Sequence, residues 1–200
     1  MRLEFADRRE FDLFTETLET RLTHRPPRAI TRPGLRESAV LLPILYKDGQ
    51  AHVLLTLRTD KVRTHKNQIS LPGGGRDQGD RDVVHTALRE THEEVGIAPD
   101  DVRILGIFDD FISIYGFHVA TVVGIIPHPY DYAVNPDEID ACIEVPLALF
   151  RDRRYDRVQK VEFEGAAYNM YHYLFGGFEI WGLTARILTD FADALLHDPA

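Results

Sequence analysis

The segment Leu71-Pro72-Gly73-Gly74-Gly75 leads through a short polar stretch into Arg89-Glu90-Thr91-His92-Glu93-Glu94-Val95-Gly96-Ile97. Val83, Val84, Ala87, Leu88, Thr91 and Val95 recur at helical spacing, and Gly96 stands where a helix-terminating glycine belongs. On that helix Glu90 and Glu94 are one turn apart on a shared face, with Glu93 beside them. Three carboxylates so placed repel one another, and they crowd the helix end whose dipole already disfavours acids. On an isolated surface helix such a cluster is ordinarily a solvated face. Here a glycine triplet precedes it, permitting positive φ and close backbone approach, and able to turn amides or a carbonyl toward the same point. A bound divalent cation relieves both electrostatic penalties, and oxygen-only ligands favour Mg²⁺ or Mn²⁺ over zinc.

Strand signals surround this helix. Ala39–Tyr46 and His52–Leu57 are apolar runs joined by Lys47-Asp48-Gly49-Gln50, and Asp-Gly between two such runs marks a hairpin. Further strands are expected at Val102–Phe108, Phe117–Ile126 and Tyr168–Leu174, and a closing helix from about Ile180 to Leu196. Pro72–Gly79 reads as a glycine-rich loop. Near the N-terminus Phe11, Phe14, Leu18 and Leu22 form one helical stripe, after which Arg25-Pro26-Pro27-Arg28 breaks the helix. Together these elements predict an α+β fold, an α/β/α sandwich with a mixed β-sheet between helices. The expected organisation is an N-terminal helix and connector arm over residues 1–34, followed by one functional domain over 35–200.

The 200-residue, 22.9 kDa chain suffices for one sizeable core, since a domain of this length buries roughly 70% of its unfolded surface. Apolar residues at 44% and charged residues at 28% exclude disordered, collagen-like and coiled-coil classes. No apolar run approaches the length that spans a bilayer, and the first residues lack the pattern of a signal peptide, so no membrane association and a cytoplasmic location are expected. The net charge of −9 argues against nucleic acid as a partner and asks any phosphorylated ligand to find a local basic pocket or a bridging cation. Arg58, Lys61, Arg63, His65 and Lys66 form such a cluster just before the glycine segment. The lone Cys142, His118 and His172 show no zinc-ligand or nucleophile spacing and read as structural.

The glycine segment and helix resemble the signature of the Nudix hydrolases, which runs glycine, five residues, glutamate, seven residues, then Arg-Glu-aliphatic-x-Glu-Glu-x-Gly-aliphatic. Arg89, Glu90, Glu93, Glu94, Gly96 and Ile97 fall on its second half. Counting from Gly74, five residues lead to Asp80 in place of glutamate, and eight residues rather than seven separate it from Arg89. Counting from Gly75 restores the spacing and lands on Arg81, and Thr91 replaces the aliphatic residue. The extra residue is expected in the loop or first helical turn, with Asp80 as a candidate N-cap. The resemblance implies a Nudix fold that hydrolyses a pyrophosphate joined to another group. It makes Glu90 and Glu94 the principal metal ligands, Glu93 a ligand or a base, the Gly74 carbonyl a further ligand, and Arg89 the residue that orients a carboxylate. Glu138 and the pair Asp109-Asp110 are candidates for a base outside the signature.

The preceding stretch is similar to the motif of the coenzyme A pyrophosphatase branch of that family. Leu55, Thr56, Arg58, Arg63, Pro72, Gly73 and Gly74 match it in register, while Thr59, Asn67 and Leu71 depart from it. Asp109–Val119 and Ile180-Trp181-Gly182-Leu183-Thr184-Ala185-Arg186 also resemble that branch. The implied reaction splits coenzyme A, or an acylated or oxidised form, into 3′,5′-ADP and 4′-phosphopantetheine, with Arg58, Arg63 and His65 binding the substrate's phosphates. ADP-ribose, NADH or a nucleoside triphosphate is the alternative substrate, and a non-catalytic nucleotide sensor the alternative function. Phe111, Tyr115, Phe117 and Trp181 are either core residues or surfaces for adenine or the pantetheine arm. Dimers are common in the family, so a homodimer is an expectation beside the monomer.

Overall fold

The computed structural model describes residues 1–59, 68–163 and 165–197. Helix α1 (Arg8–His24) precedes β1 (Arg36–Lys47), β2 (Gln50–Arg58), β3 (Ile69–Ser70), β4 (Gly73–Gly75) and α2 (Val83–Val95). A 3-10 turn at Pro99–Asp101 leads to β5 (Arg103–Ile107), β6 (Phe111–Ile112), β7 (Phe117–Ile125) and β8 (Ile139–Pro146). The chain continues through α3 (Ala148–Arg151), β9 (Arg157–Phe163), β10 (Ala166–Phe175), β11 (Phe178–Ile180) and α4 (Gly182–Phe191), which runs on as a π-helical turn, Ala192–Leu196. None of the described helices is long and apolar enough to cross a membrane.

Asp48 and Gly49, both at positive φ, close the β1–β2 hairpin with Lys47 opposite Gln50. The two strands stay paired only as far as Ile44 and Val53, then splay. The freed edge of β1 is taken by β4, with Ser38 opposite Gly75 and Val40 opposite Gly73, while β2 takes β3 at Thr56–Ser70. The glycine triplet, expected as part of a loop, is therefore a short antiparallel strand. Unpaired strand edges inside a protein need partners, and this segment supplies them; the Leu41 amide also donates to the Pro72 carbonyl at 2.8 Å. The other edge of β1 runs parallel to β7 from Arg36–Phe117 to Ile44–Ile125. With β5 and β6 on β7 and β8 on β2, all antiparallel, the sheet is mixed and has eight strands.

Side chains alternate across this sheet. Leu42 and Ile44 of β1, with Val119, Val123 and Ile125 of β7, meet α1 and α4 on one face. Ala39, Leu41 and Leu45, with Ala120 and Val122, meet Ala87 and Val95 of α2 on the other. Helices thus cover both faces, the α/β/α arrangement expected. The stripe Phe11, Phe14, Leu18 and Leu22 of α1 lies wholly within the first core. A separate antiparallel sheet, β11-β10-β9, stands beside α4. Strands β8 and β9 were not expected, because Asp140 and Glu144 interrupt one and Arg157, Lys160 and Glu162 give the other a largely exposed, polar text.

The segment after α1 is tied down by two acids. Arg25 donates to both oxygens of Asp109 at 2.7 and 2.8 Å, the Arg28 amide adds a third bond at 2.8 Å, and the Ile30 amide donates to Asp110. His118 Nε2 lies 2.8 Å from the same Asp110 carboxylate. Burial pushes the Asp109 carboxyl up, but the Arg25 guanidinium and the Arg28 amide outweigh it and hold the group below the usual carboxylate range. A depressed folded-state pKa contributes stability above the unfolded value, near 4, which is lost as pH falls through the folded value. Asp109→Asn should therefore lower unfolding free energy by about 1–3 kcal/mol at pH 7. The gap should narrow below about pH 4 as the wild-type carboxyl protonates. Urea titrations at both pH values check this, and a gap that widens in acid contradicts it.

Candidate active site

Arg89 projects from α2 toward the glycine strand. Its Nε and Nη2 each donate to Asp80 at 3.0 Å, Nη2 reaches the Gly75 carbonyl at 2.9 Å, and Nη1 reaches Glu90 at 3.0 Å and Glu93 at 3.1 Å. Asp80 is buried and also accepts from the Asp77 amide, the Thr86 hydroxyl and the His85 ring. The Arg89 bonds, helped by the Asp77 amide, hold the Asp80 carboxyl far below its usual range despite burial, and Asp80 raises Arg89 in return. Asp80 is not the N-cap. Helix α2 begins at Val83, and Asp82 is the residue immediately before it, with its carboxylate accepting the His85 amide. Asp80, one residue further from Arg89 than the signature's glutamate, still receives the paired bonds of a guanidinium.

Glu94 is the most deeply placed of the acids, 2% exposed. One oxygen accepts Arg58 Nη1 at 3.0 Å and the other accepts the Gly73 amide at 3.1 Å. Burial drives its carboxyl up to about 7, against the pull of Arg58 and the Gly73 amide and with a further push from Glu90 and Glu138. Glu90 is raised too, first by burial, with Arg89 opposing and Glu93 and Glu138 adding to the rise. These mutual effects place the Glu138 carboxylate in the field of the two helix acids. Its backbone explains why: the Asn135 amide donates to the Glu94 carbonyl at 2.9 Å, and the Thr59 amide donates to the Glu138 carbonyl at 2.9 Å. The loop before β8 is thereby fastened to both α2 and the end of β2.

Gly73, Gly74, Gly75, Glu90, Glu94, Glu138 and Arg58 line one cavity of about 520 Å³. A Cβ at Gly74 would meet the Glu90 carboxylate, 2.8 Å from Oε1, and would push that side chain away from the glycine strand. Glu93 is half-exposed, turns to Arg89 and does not line this cavity. Arg63 and His65 lie outside the described residues. Asp109 and Asp110, considered as bases, do not line the cavity and are engaged with the connector. Of the aromatic candidates, Phe111 is core, whereas Tyr115, Phe117 and Trp181 line the cavity. Val161 and Tyr168–Tyr171 also line the cavity; the strand carrying Tyr168–Tyr171 is expected from the sequence, but its place beside the acids is set by packing between elements.

The acid end of this cavity suits a hard divalent cation. It offers oxygen ligands only, two of its carboxylates are raised by burial and by neighbouring acids, and Gly74 leaves Glu90 room that a side chain would fill. Among the described residues no three acidic, histidine or cysteine side chains already converge as a closed cage. Mg²⁺ does not require one, because it commonly keeps several waters and takes substrate phosphates beside one or two carboxylates.

Residues 35–163 match the NUDIX domain, and this span contains the glycine strand, α2 and Glu138. The chain belongs to the Nudix family. The Nudix hydrolase NudL of Enterobacter sp. (strain 638) is 36% identical over 158 residues, covering 78% of this chain and 81% of that protein. NudL of Klebsiella pneumoniae (strain 342) is 37% identical over 158 residues, with the same coverage. A MutT/nudix family protein from Enterococcus faecalis shares the fold with a TM-score of 0.52 at 17% identity, covering 96% of this chain and 76% of that one. For this Nudix chain, Gly74→Ala should displace the Glu90 carboxylate and weaken Mn²⁺ binding about tenfold or more while the far-ultraviolet dichroism stays unchanged. Calorimetric titration with Mn²⁺ decides it; undiminished affinity would mean that Glu90 does not depend on the open space at Gly74.

Proposed function

We propose that the protein is a metal-dependent pyrophosphohydrolase and that its substrate is coenzyme A or an acylated or oxidised form. The observation that carries the hydrolase reading is the convergence, in one cavity, of Glu90 and Glu94 from α2, Glu138 from the loop before β8, and the backbone of Gly73–Gly75. Glu90 and Glu94, with the Gly74 carbonyl, would hold Mg²⁺ or Mn²⁺. When bound, the cation supplies Lewis acidity toward phosphate oxygens and a water of lowered pKa.

The chain's own residues do the remaining work. Arg89 holds Glu90 and Glu93 in one orientation, so their carboxylates need not be ordered at the moment of reaction. Arg58, at the mouth of the basic segment and inside the cavity, is placed to meet the negative charge of a diphosphate. Glu138 is the candidate for removing a proton from the attacking water. It is held by backbone bonds, has no charged partner of its own among the described residues, and lines the same cavity as Glu90 and Glu94 from outside α2.

The coenzyme A reading rests on the match of Leu55, Thr56, Arg58, Arg63 and Pro72–Gly74 to that branch's motif, and on the shape of the cavity. Beyond the acids, its walls are apolar: Ile112, Val161, Met170, Trp181 and Leu183 offer surface to a long uncharged arm.

Incubation with coenzyme A and Mg²⁺ should release 3′,5′-ADP and 4′-phosphopantetheine, identified by mass spectrometry. Faster turnover of ADP-ribose than of coenzyme A would remove the substrate assignment and leave the hydrolase assignment standing. Glu94→Gln keeps the side-chain shape and removes a charge, so kcat/KM should fall on the order of a hundredfold or more with little change in melting temperature. Glu138→Gln should lower kcat by roughly 10²- to 10⁴-fold with a smaller effect on KM, and an unchanged kcat would strip Glu138 of its role as base.

A further inference from the structure

Two arginines line the active-site cavity among the described residues, and they are placed very differently. Arg58 is engaged with Glu94 at the acid end. Arg186 comes from α4, one turn into the helix, and has other neighbours. Its guanidinium lies over the ring of Tyr168 at 5.0 Å and over that of Phe111 at 5.8 Å. The carboxylate nearest to it, Asp190, is 3.8 Å from Nε, outside hydrogen-bonding range. Among the described residues Arg186 makes no hydrogen bond.

This arrangement has a chemical consequence. Stacking on aromatic rings uses the face of a guanidinium and leaves the in-plane N–H donors available. A planar fork of such donors matches the oxygens of a phosphate, which it can grip with two bonds at once. The position is also fixed relative to the acids. Thr184, two residues before Arg186, donates its hydroxyl to the Ile69 carbonyl of β3 at 3.0 Å, so α4 is fastened to the segment that continues into the glycine strand. In a protein of net charge −9, a half-exposed guanidinium that lines the cavity and keeps its donors free of protein partners among the described residues is suited to an incoming anion.

We infer that Arg186 holds a second anionic group of the substrate, a phosphomonoester separate from the diphosphate that is cut. The inference rests on the proposed hydrolysis of coenzyme A and deepens it, since the 3′-phosphate on the ribose is such a group. Arg58 then serves the diphosphate and Arg186 the additional phosphate within one cavity. The substrate class is a nucleoside diphosphate derivative carrying a third phosphate, and compounds without it bind less well.

The test compares coenzyme A with 3′-dephospho-coenzyme A in the wild type, Arg186→Met and Arg186→Lys. The wild type should favour coenzyme A in kcat/KM by about tenfold to a hundredfold, the range of a charge-assisted hydrogen-bond pair. In Arg186→Met the ratio should fall toward one, and Arg186→Lys should recover part of it, because an ammonium keeps the charge without the fork. Melting temperatures establish that each variant is folded. A wild type without preference overturns the assignment, and so does a ratio unchanged in Arg186→Met, whether both substrates lose equally or neither does. If the wild type cleaves neither compound, the coenzyme A reading fails by itself. Calorimetric binding of adenosine 3′,5′-bisphosphate against AMP then decides Arg186: tighter binding of the bisphosphate that Arg186→Met abolishes supports it, and equal binding overturns it.

Discussion

Arg89 sends five hydrogen bonds from one guanidinium into four acceptor groups that come from different parts of the chain: Asp80 in the loop, Gly75 on the glycine strand, and Glu90 and Glu93 on its own helix. Without that cation, three acids and a carbonyl would face one another at the end of the sheet. With it, the buried Asp80 has a full set of partners, and α2 is bound to the strand that it must face for the site to exist. A buried ion pair is a modest source of net stability, because desolvation consumes most of the attraction, but it specifies geometry strongly. Here the geometry is that of Glu90. The paired bonds also explain why an altered spacing before the helix is tolerated: Arg89 is long, and a loop can shift a carboxylate by one residue while the fork still closes on it.

The acids of the site are costly to the fold. Glu94 is buried against a single guanidinium and a single amide, and its raised pKa measures how poorly that environment replaces water. The sheet sustains this cost by its topology. Because β1 and β2 part beyond Ile44 and Val53, the segment from Ile69 to Gly75 enters the gap, and the Gly73 amide arrives beside Glu94 as part of a strand rather than as a mobile turn. The glycines do two separate things there. They let the backbone lie against Glu90, and they pair with β1 as an ordinary strand would.

The rest of the cavity is built by parts of the chain that carry no catalytic signature. β10, α4 and the residue before α4 furnish the wall of Tyr168, Met170, Trp181 and Leu183, and the Thr184–Ile69 bond ties that wall to the sheet. Asp109 and Asp110 fasten the segment after α1, and the N-terminal helix and the central sheet share one core. Two acids that the sequence offers as possible bases are thus occupied by an arginine, two backbone amides and a histidine, and the acid left facing the helix is Glu138.

Much of this was legible in the sequence wherever a single element decides the outcome. The period of α2 puts Glu90 and Glu94 on one face, Gly96 ends the helix, Asp48-Gly49 turns the hairpin, and the stripe of α1 declares a buried side, because local hydrogen-bonded geometry sets each of these spacings. What only the tertiary structure decided are pairings between elements: Asp80 with Arg89 rather than at the helix cap, Glu138 rather than Asp109 or Asp110 beside the acids, the glycine triplet as a strand, and Arg186 in the same cavity as Arg58. Residues far apart in the chain meet through packing and strand register, and no local period encodes which of several equally charged side chains will be the one left without a partner.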